Sequence, residues 1–307
     1  MRLSSRQAAV LMETHESSIK RWCNAGDLPC ETTAGGHRRI TIGALAAFAS
    51  RVQPSLDFLL LGEDRTIAIP GILTLRRGKV SADLTKVVTG WLLDAESFRI
   101  TALVRLARGF GVSLSALYDR LIGEVMRGVG TSWASGAFQI GEEHRISESI
   151  LDVLYGLQSA IEPGIPENAP CAVLGAMRGE DHVTGAMMVR TLLSEAGWKV
   201  AYLGRDVPEE DLVLFQRKVN APIICVSATV SRSPESIIAV LQRLQELGGM
   251  DAGFIIAVGG SGIKAARRLV HQLSQPDRVV FFESATEFAS WAAAFQSPHV
   301  LVRDETN

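Results

Sequence analysis

The chain has 307 residues, 47% of them apolar and 21% charged, which excludes an intrinsically disordered protein and is too long for one ordinary core, so two or three domains are expected. The net charge of −2 hides an asymmetry: residues 1–51 carry seven Lys and Arg against four acids, a net of +3, leaving −5 for the remainder. Any nucleic-acid contact is therefore expected in the first fifty residues. There is no charged leader followed by an apolar run, and no stretch long enough to cross a bilayer, so a cytoplasmic protein with no membrane partner is expected. Cys171 and Cys225 fall on apolar strands, and Cys23 and Cys30 form no C-x-x-C pair, so no zinc site is expected.

In chain order, Ser4 or Ser5 can cap a first short helix through Met12, and Glu16–Ala25 has the spacing of a second, with Ile19 and Trp22 on its inner face. Two short helices joined by a tight turn form a helix-turn-helix, whose second helix would direct Ser17, Ser18, Lys20 and Arg21 at bases and phosphates. Gly35-Gly36 suits a hairpin tip, and His37, Arg38 and Arg39 just after it suit a wing against the phosphate backbone. On charge alone a solvated basic face fits as well. The stretch from Arg6 to Phe48, with "IKRWCNAGDLP" and "GGHRR" followed by an alanine-rich helix, resembles the winged helix-turn-helix of MerR and excisionase-like regulators. That resemblance implies Lys20 and Arg21 in the major groove and His37, Arg38 and Arg39 on the wing of a double-stranded operator. A module this small is expected to act as a homo-oligomer, dimer or tetramer, on repeated half-sites.

Residues 52–80 are expected to be a linker with at most a short strand or turn of its own, or equally a loop packed on the next domain, because Pro54, Gly62, Pro70, Gly71 and Gly78 interrupt any long period. Residues 81–162 hold four apolar-periodic segments, at about 81–94, 97–109, 113–135 and 141–161, which predict a four-helix bundle with Gly136 at a helix end. Within it, Trp133 is followed after nine residues by Glu143-His144, so an indole and a carboxylate can converge on one corner, fit for a flat base and a ribose. A core tryptophan and a first-turn glutamate favoured by the helix dipole is the competing reading, and the pattern taken alone fits it better.

Residues 168–296 alternate strands at about 171–176, 199–204, 222–228, 253–258 and 278–282 with helices at 186–196, 208–219, 233–247, 262–273 and 285–295. Five such repeats predict a parallel, doubly wound, flavodoxin-like (Rossmann-type) α/β sheet. The loop Gly179-Glu180-Asp181-His182-Val183-Thr184-Gly185 then sits at the carboxyl end of the first strand, where such sheets bind ligands. An imidazole there can give one nitrogen to a metal while Glu180 orients the other; an isolated histidine is usually only a polar loop residue.

Glu180-x-His182-x-x-Gly185, with Ser227-Ala228-Thr229 after a second strand and Gly259-Gly260 after a third, resembles the signature of cobalamin-binding domains. The resemblance implies cobalamin as cofactor and His182 as the lower axial ligand to cobalt. It also implies a channel for the dimethylbenzimidazole tail, lined by glycines, with Ser227 and Thr229 hydrogen-bonding along it. Gly260-x-Gly262-x-x-Ala265 fits the dinucleotide fingerprint only loosely, and a Walker lysine loop is absent. No substrate barrel accompanies the sheet, so no enzyme is expected.

Beside that motif, Trp-x9-Glu-His looks like the arrangement of CarH-type photoreceptors, in which these residues, here Trp133, Glu143 and His144, cover the 5′-deoxyadenosyl group. One departure is Ala134, where the family commonly has a histidine that takes the upper cobalt position after illumination. The resulting expectation is an adenosylcobalamin-dependent, light-responsive DNA-binding transcriptional regulator. The rivals are a corrinoid carrier for methyl transfer and a light-independent sensor of cobalamin or another tetrapyrrole.

Overall fold

A computed structural model describes residues 1–229, 232–249 and 253–295, and its described part divides into two units, Met1–Val153 and the residues from Leu154 onward. The predicted domain end at 296 lies outside the described residues. No helix among the described residues is long and apolar enough to cross a membrane.

The first unit begins with β1 (Arg2–Ser4), α1 (Ser5–Leu11), α2 (Glu16–Ala25), β2 (Glu31–Thr32), β3 (Arg38–Thr41) and α3 (Ile42–Val52). Ser4 caps α1 in a reciprocal box with Gln7, which satisfies two otherwise orphaned donors. Thr41 caps α3. The three strands form one antiparallel sheet in the order β1-β3-β2, with Thr32 opposite Arg38 and Leu3 opposite Ile40. Leu3, Leu11, Ile19, Leu28, Ile40, Leu45 and Phe48 are buried, and Trp22 meets Phe48 at 4.9 Å between ring centres. Cys23 and Cys30 are within hydrogen-bond reach of each other, and burial together with that contact pushes the Cys23 thiol up to about 12, so it stays protonated.

The expected linker differs from what forms. Residues 57–76 build α4 (Asp57–Leu60), a short 3-10 turn and α5 (Arg65–Arg76), with Ala68, Ile69, Ile72 and Leu75 buried at helical spacing. Pro70 lies inside α5, and Gly71 is a contact point: a Cβ there would stand 2.8 Å from the Leu84 side chain. The pair that reads as a breaker in sequence is thus where the next helix seats.

α6 (Ala82–Leu93) packs against α5, against α7 (Ser97–Gly109) and against α9 (Gly123–Ala134). The predicted helix 113–135 is divided: α8 (Leu114–Leu117) passes through a π turn, Tyr118–Ile122, into α9. Gly136 follows its end as expected. The first half of α10 (Ile140–Ile161) is tied to α6 by Ser149 Oγ donating to the Leu92 carbonyl at 3.0 Å. Among the described residues α5 is therefore a further member of the predicted four-helix assembly.

The second unit contains β4 (Cys171–Met177), α11 (Thr184–Glu195), β5 (Lys199–Val207), α12 (Glu209–Val219), β6 (Ile223–Ser227), α13 (Pro234–Gly248), β7 (Ile255–Gly259), α14 (Ile263–Ala266), β8 (Val279–Phe282) and α15 (Ala285–Ala294). All five strands are parallel, in the order β5-β4-β6-β7-β8. Central β4 and β6 are continuous apolar runs because helices cover both faces, and Ala172–Met177 and Ile223–Ser227 are buried throughout. The order reverses between β4 and β6, which opens a crevice at their carboxyl ends. The predicted helix 262–273 is instead a four-residue α14 followed by a 3-10 stretch, Arg267–Gln272.

Candidate metal centre

The loop between β4 and α11 is fastened before it reaches the histidine. Gly179 N donates to Asp206 Oδ1 at 2.6 Å, and Asp206 N donates to the Glu180 carbonyl at 3.1 Å, so the end of β5 braces the turn from two sides. Glu180 is 1% exposed. Its Oε1 accepts from His182 N at 3.1 Å and from His182 Nδ1 at 2.6 Å; its Oε2 accepts from Thr229 N at 2.9 Å and Thr229 Oγ1 at 2.7 Å. Burial pushes this carboxyl up, and the hydrogen bonds from Thr229 and His182 more than offset it, holding its pKa below the ordinary carboxylate value.

A charged carboxylate accepting at Nδ1 fixes the imidazole tautomer: the proton is on Nδ1, and Nε2 keeps its lone pair. The His182 side chain is 66% exposed, so that lone pair is open to a ligand. Among the described residues no group of three or more His, Cys, Asp or Glu side chains converges on a metal position. A metal bound at Nε2 must therefore bring its remaining ligands with it, which fits an ion already held in a macrocycle and does not fit a protein-built cage.

Thr229 gives its hydroxyl proton and its N–H to Glu180, which leaves the hydroxyl oxygen able to accept. A buried charge needs such donors. Thr229→Val removes the hydroxyl bond while keeping the backbone one, and should cost about 1–3 kcal/mol, read as a lower urea midpoint for the second unit.

The remaining predicted residues gather at the ends of β6 and β7. Ser227, the last residue of β6, is buried, and its Oγ lies 3.4 Å from where a Cβ on Gly185 would stand. Ala228 N donates to the Gly259 carbonyl at 3.0 Å and Gly262 N to the Ala228 carbonyl at 3.2 Å, which zips the two loops together. Gly260 has φ +113°, and a Cβ there would stand 2.1 Å from the Ala228 carbonyl oxygen, so no larger residue fits. His182, Glu180, Gly185, Ser227, Thr229, Gly259 and Gly260 are thus brought to one edge of the sheet. Asp206 is a residue that sequence reasoning misses; it carries no motif, and only the strand pairing brings it near Gly179.

In the first unit, Trp133 ends α9 with 53% of its surface exposed, which rules out the core-tryptophan reading. Glu143 accepts from Ser147 Oγ at 2.8 Å, and His144 Nε2 lies 3.6 Å from Glu143 Oε2 with its side chain largely in solvent. At the amino terminus Lys20 and Arg21 are exposed on α2, Lys20 in an ion pair with Glu16 at 2.8 Å. His37 is exposed beside the hairpin tip, Arg38 Nη2 donates to Asn24 Oδ1 at 2.5 Å, and Arg39 is half-buried in β3.

A parallel sheet offering one carboxylate-oriented imidazole beside a glycine-lined loop pair is the architecture of a cobalamin-binding domain, and residues 170–291 match the B12 binding domain family. Residues 170–291 of the second unit are thus a cobalamin-binding domain. Among relatives, the chain is 26% identical to the HTH-type transcriptional repressor CarH of Myxococcus xanthus over 157 residues, 51% of this chain and 51% of that one, so the match spans about half of the repressor's length. It is 24% identical to the dimethylamine corrinoid protein of Methanosarcina barkeri over 188 residues, 60% of this chain and 86% of that one. The fold is similar to that of the Methanosarcina barkeri monomethylamine corrinoid protein, with TM-score 0.53 and 18% identity over 67% of this chain and 95% of the other.

Proposed function

We propose that this chain is a cobalamin-dependent, light-responsive DNA-binding transcriptional regulator and not an enzyme. The observation that carries the reading is the presence on one chain of a cobalt-competent His182 and an amino-terminal module of two helices and a basic hairpin. We read that module as a winged helix-turn-helix. α2 offers Lys20 and Arg21 from its exposed face, and the β2–β3 hairpin offers His37, Arg38 and Arg39 to the backbone of a duplex.

When bound, adenosylcobalamin supplies a cobalt–carbon bond that absorbs visible light and breaks on excitation. The chain's residues do the rest. Glu180 and Thr229 keep the imidazole aimed, Ser227, Gly259 and Gly260 would help hold the cofactor at the same strand ends, and Trp133 with Glu143 and His144 would recognise its adenosyl group by stacking and hydrogen bonding. A ligand shifts an equilibrium only by its differential contacts with two states, and the adenosyl group against Trp133 is such a contact. We propose that an oligomer, dimer or tetramer, binds the operator in the dark and separates on illumination. Ala134 offers no metal-ligating atom, so no second imidazole bond forms at that position.

Gel-shift titration of the adenosylcobalamin-loaded chain, in the dark and after green light, tests this directly. Dark binding is expected to weaken after light. Arg38→Ala with Arg39→Ala should lower affinity at least about tenfold and flatten its salt dependence, because a duplex that meets fewer cations releases fewer counterions. DNA binding unaffected by light or cobalamin would remove the regulatory reading.

The similarity to a dimethylamine corrinoid protein across 86% of its length favours a second reading, a corrinoid carrier that hands a methyl group to a partner enzyme. Such a carrier makes no use of the α2 and hairpin cations. Methyl transfer to an acceptor, with no gel shift, would select it.

A further inference from the structure

Two cysteines that the proposed function leaves unused lie side by side in the amino-terminal module. Cys23 stands in the last turn of α2, which stops at Gly26 in the left-handed conformation, φ +82°. The chain then doubles back: Gly26 N donates to the Cys23 carbonyl at 3.3 Å and Leu28 N to the Trp22 carbonyl at 3.2 Å, with the Leu28 side chain wholly buried. Cys30 comes two residues later, directly before β2, and its thiol is within hydrogen-bond reach of Cys23.

The pair is held from both sides. Glu31, next to Cys30, is opposite Arg39 in the hairpin, and Asn24, next to Cys23, accepts from Arg38 Nη2 at 2.5 Å. Thiols already in contact can be bridged without moving the backbone. Both residues are only half-buried, so a small oxidant reaches them. The other two thiols make no such pair: Cys225 of β6 is buried and stands opposite Leu174, not opposite Cys171.

We infer that Cys23 and Cys30 are a reversible dithiol–disulfide site, oxidised by small disulfides of the glutathione class. The Cys30 thiolate attacks one sulfur of oxidised glutathione, the S–S bond of that molecule breaks, and the departing glutathione thiolate takes up a proton. Cys23 then gives up its proton and attacks the Cys30 sulfur of the mixed disulfide, which releases the second glutathione. Two protein thiols thus lose two electrons and two protons, and the two glutathione thiols formed receive them. Burial and the neighbouring thiol hold Cys23 protonated, so Cys30 attacks first; capping Cys30 removes the neighbour's share of that hold. The new bond closes a short loop. It joins the end of α2, which carries Lys20 and Arg21, to the base of the hairpin that carries His37, Arg38 and Arg39, so the two basic elements share one covalent frame. The site needs neither cobalamin nor DNA and stands on its own residues.

Incubating the full, reduced chain with oxidised glutathione tests it. The intact mass of the wild type is expected to fall by two hydrogens with no glutathione retained, and peptide mapping to recover Cys23 linked to Cys30. Free thiols counted after denaturation should drop from four to two, and dithiothreitol should restore all four. Cys23→Ser should stop with one glutathione retained on Cys30, because the second attack is missing, and Cys30→Ser should form no internal bond. The wild-type map needs no variant, so it decides the matter even if a serine disturbs the fold. A wild type that keeps four thiols, that retains glutathione without closing the loop, or that links Cys23 or Cys30 to a second chain would overturn the inference.

Discussion

His182→Ala is expected to lower cobalamin affinity at least about 10- to 100-fold, the range seen when even the outer partners of a metal ligand are removed. His182 Nε2 is the proposed cobalt donor at this sheet edge, and among the described residues no group of three or more other metal-ligating side chains stands ready to replace it. Whatever cofactor remains should show the visible spectrum of cobalamin without an imidazole below the cobalt. The fold should survive, because the side chain is largely exposed and Glu180 keeps both bonds from Thr229. Glu180→Gln separates donation from orientation. A neutral amide can present its NH2 to Nδ1, which favours the tautomer with Nε2 protonated, so ligation should weaken although the imidazole is intact. Equilibrium dialysis with matched spectra reads both variants. A wild-type spectrum and affinity in His182→Ala would show that the imidazole makes no bond to the metal, and the candidate centre would have to be sought elsewhere.

The parts legible in the sequence are those whose physics is local. The five strands of the second unit lie within three residues of their expected positions, and central β4 and β6 are the plainest, because a strand buried on both faces is an apolar run that needs no partner to be recognised. Glu180 and His182 are two residues apart and declare their geometry in one loop. What fails to show is set by long-range contact. Pro70 and Gly71 look like an interruption until Leu84 is seen packed against Gly71, so α5 reads as linker. The bond from the Thr229 hydroxyl to the buried charge 49 positions away shows only in the fold. Asp206 is invisible for the same reason, since only the β4–β5 pairing brings it to Gly179.

Gly260→Ala is expected to be among the most destabilising single-methyl additions in the chain. The added carbon would stand 2.1 Å from the Ala228 carbonyl oxygen, 3.0 Å from its carbonyl carbon and 3.1 Å from its nitrogen, all backbone atoms with no rotamer to escape into. The residue would also have to hold φ +113°, which costs a non-glycine residue about 1–3 kcal/mol before any clash. Overpacking against fixed neighbours adds about 1–3 kcal/mol more, so a total loss of about 2–6 kcal/mol is expected, a large share of the roughly 5–15 kcal/mol that holds a domain. Relief can come only by parting the loops joined by Ala228 N to Gly259 O and Gly262 N to Ala228 O. That movement carries Thr229 with it, one residue beyond Ala228, and so loosens Glu180 and the aim of His182. Stability and cobalamin affinity should therefore fall together, although position 260 makes no bond to the imidazole. Gly130→Ala in α9 is the matched control: nothing lies within 4 Å of its Cβ, and a helix interior gains about 0.5–1 kcal/mol from the exchange. Urea unfolding followed by circular dichroism compares the two variants. A Gly260→Ala protein as stable as Gly130→Ala would mean that the β6 and β7 loops do not touch as described, and the glycine-lined edge would lose its geometric basis.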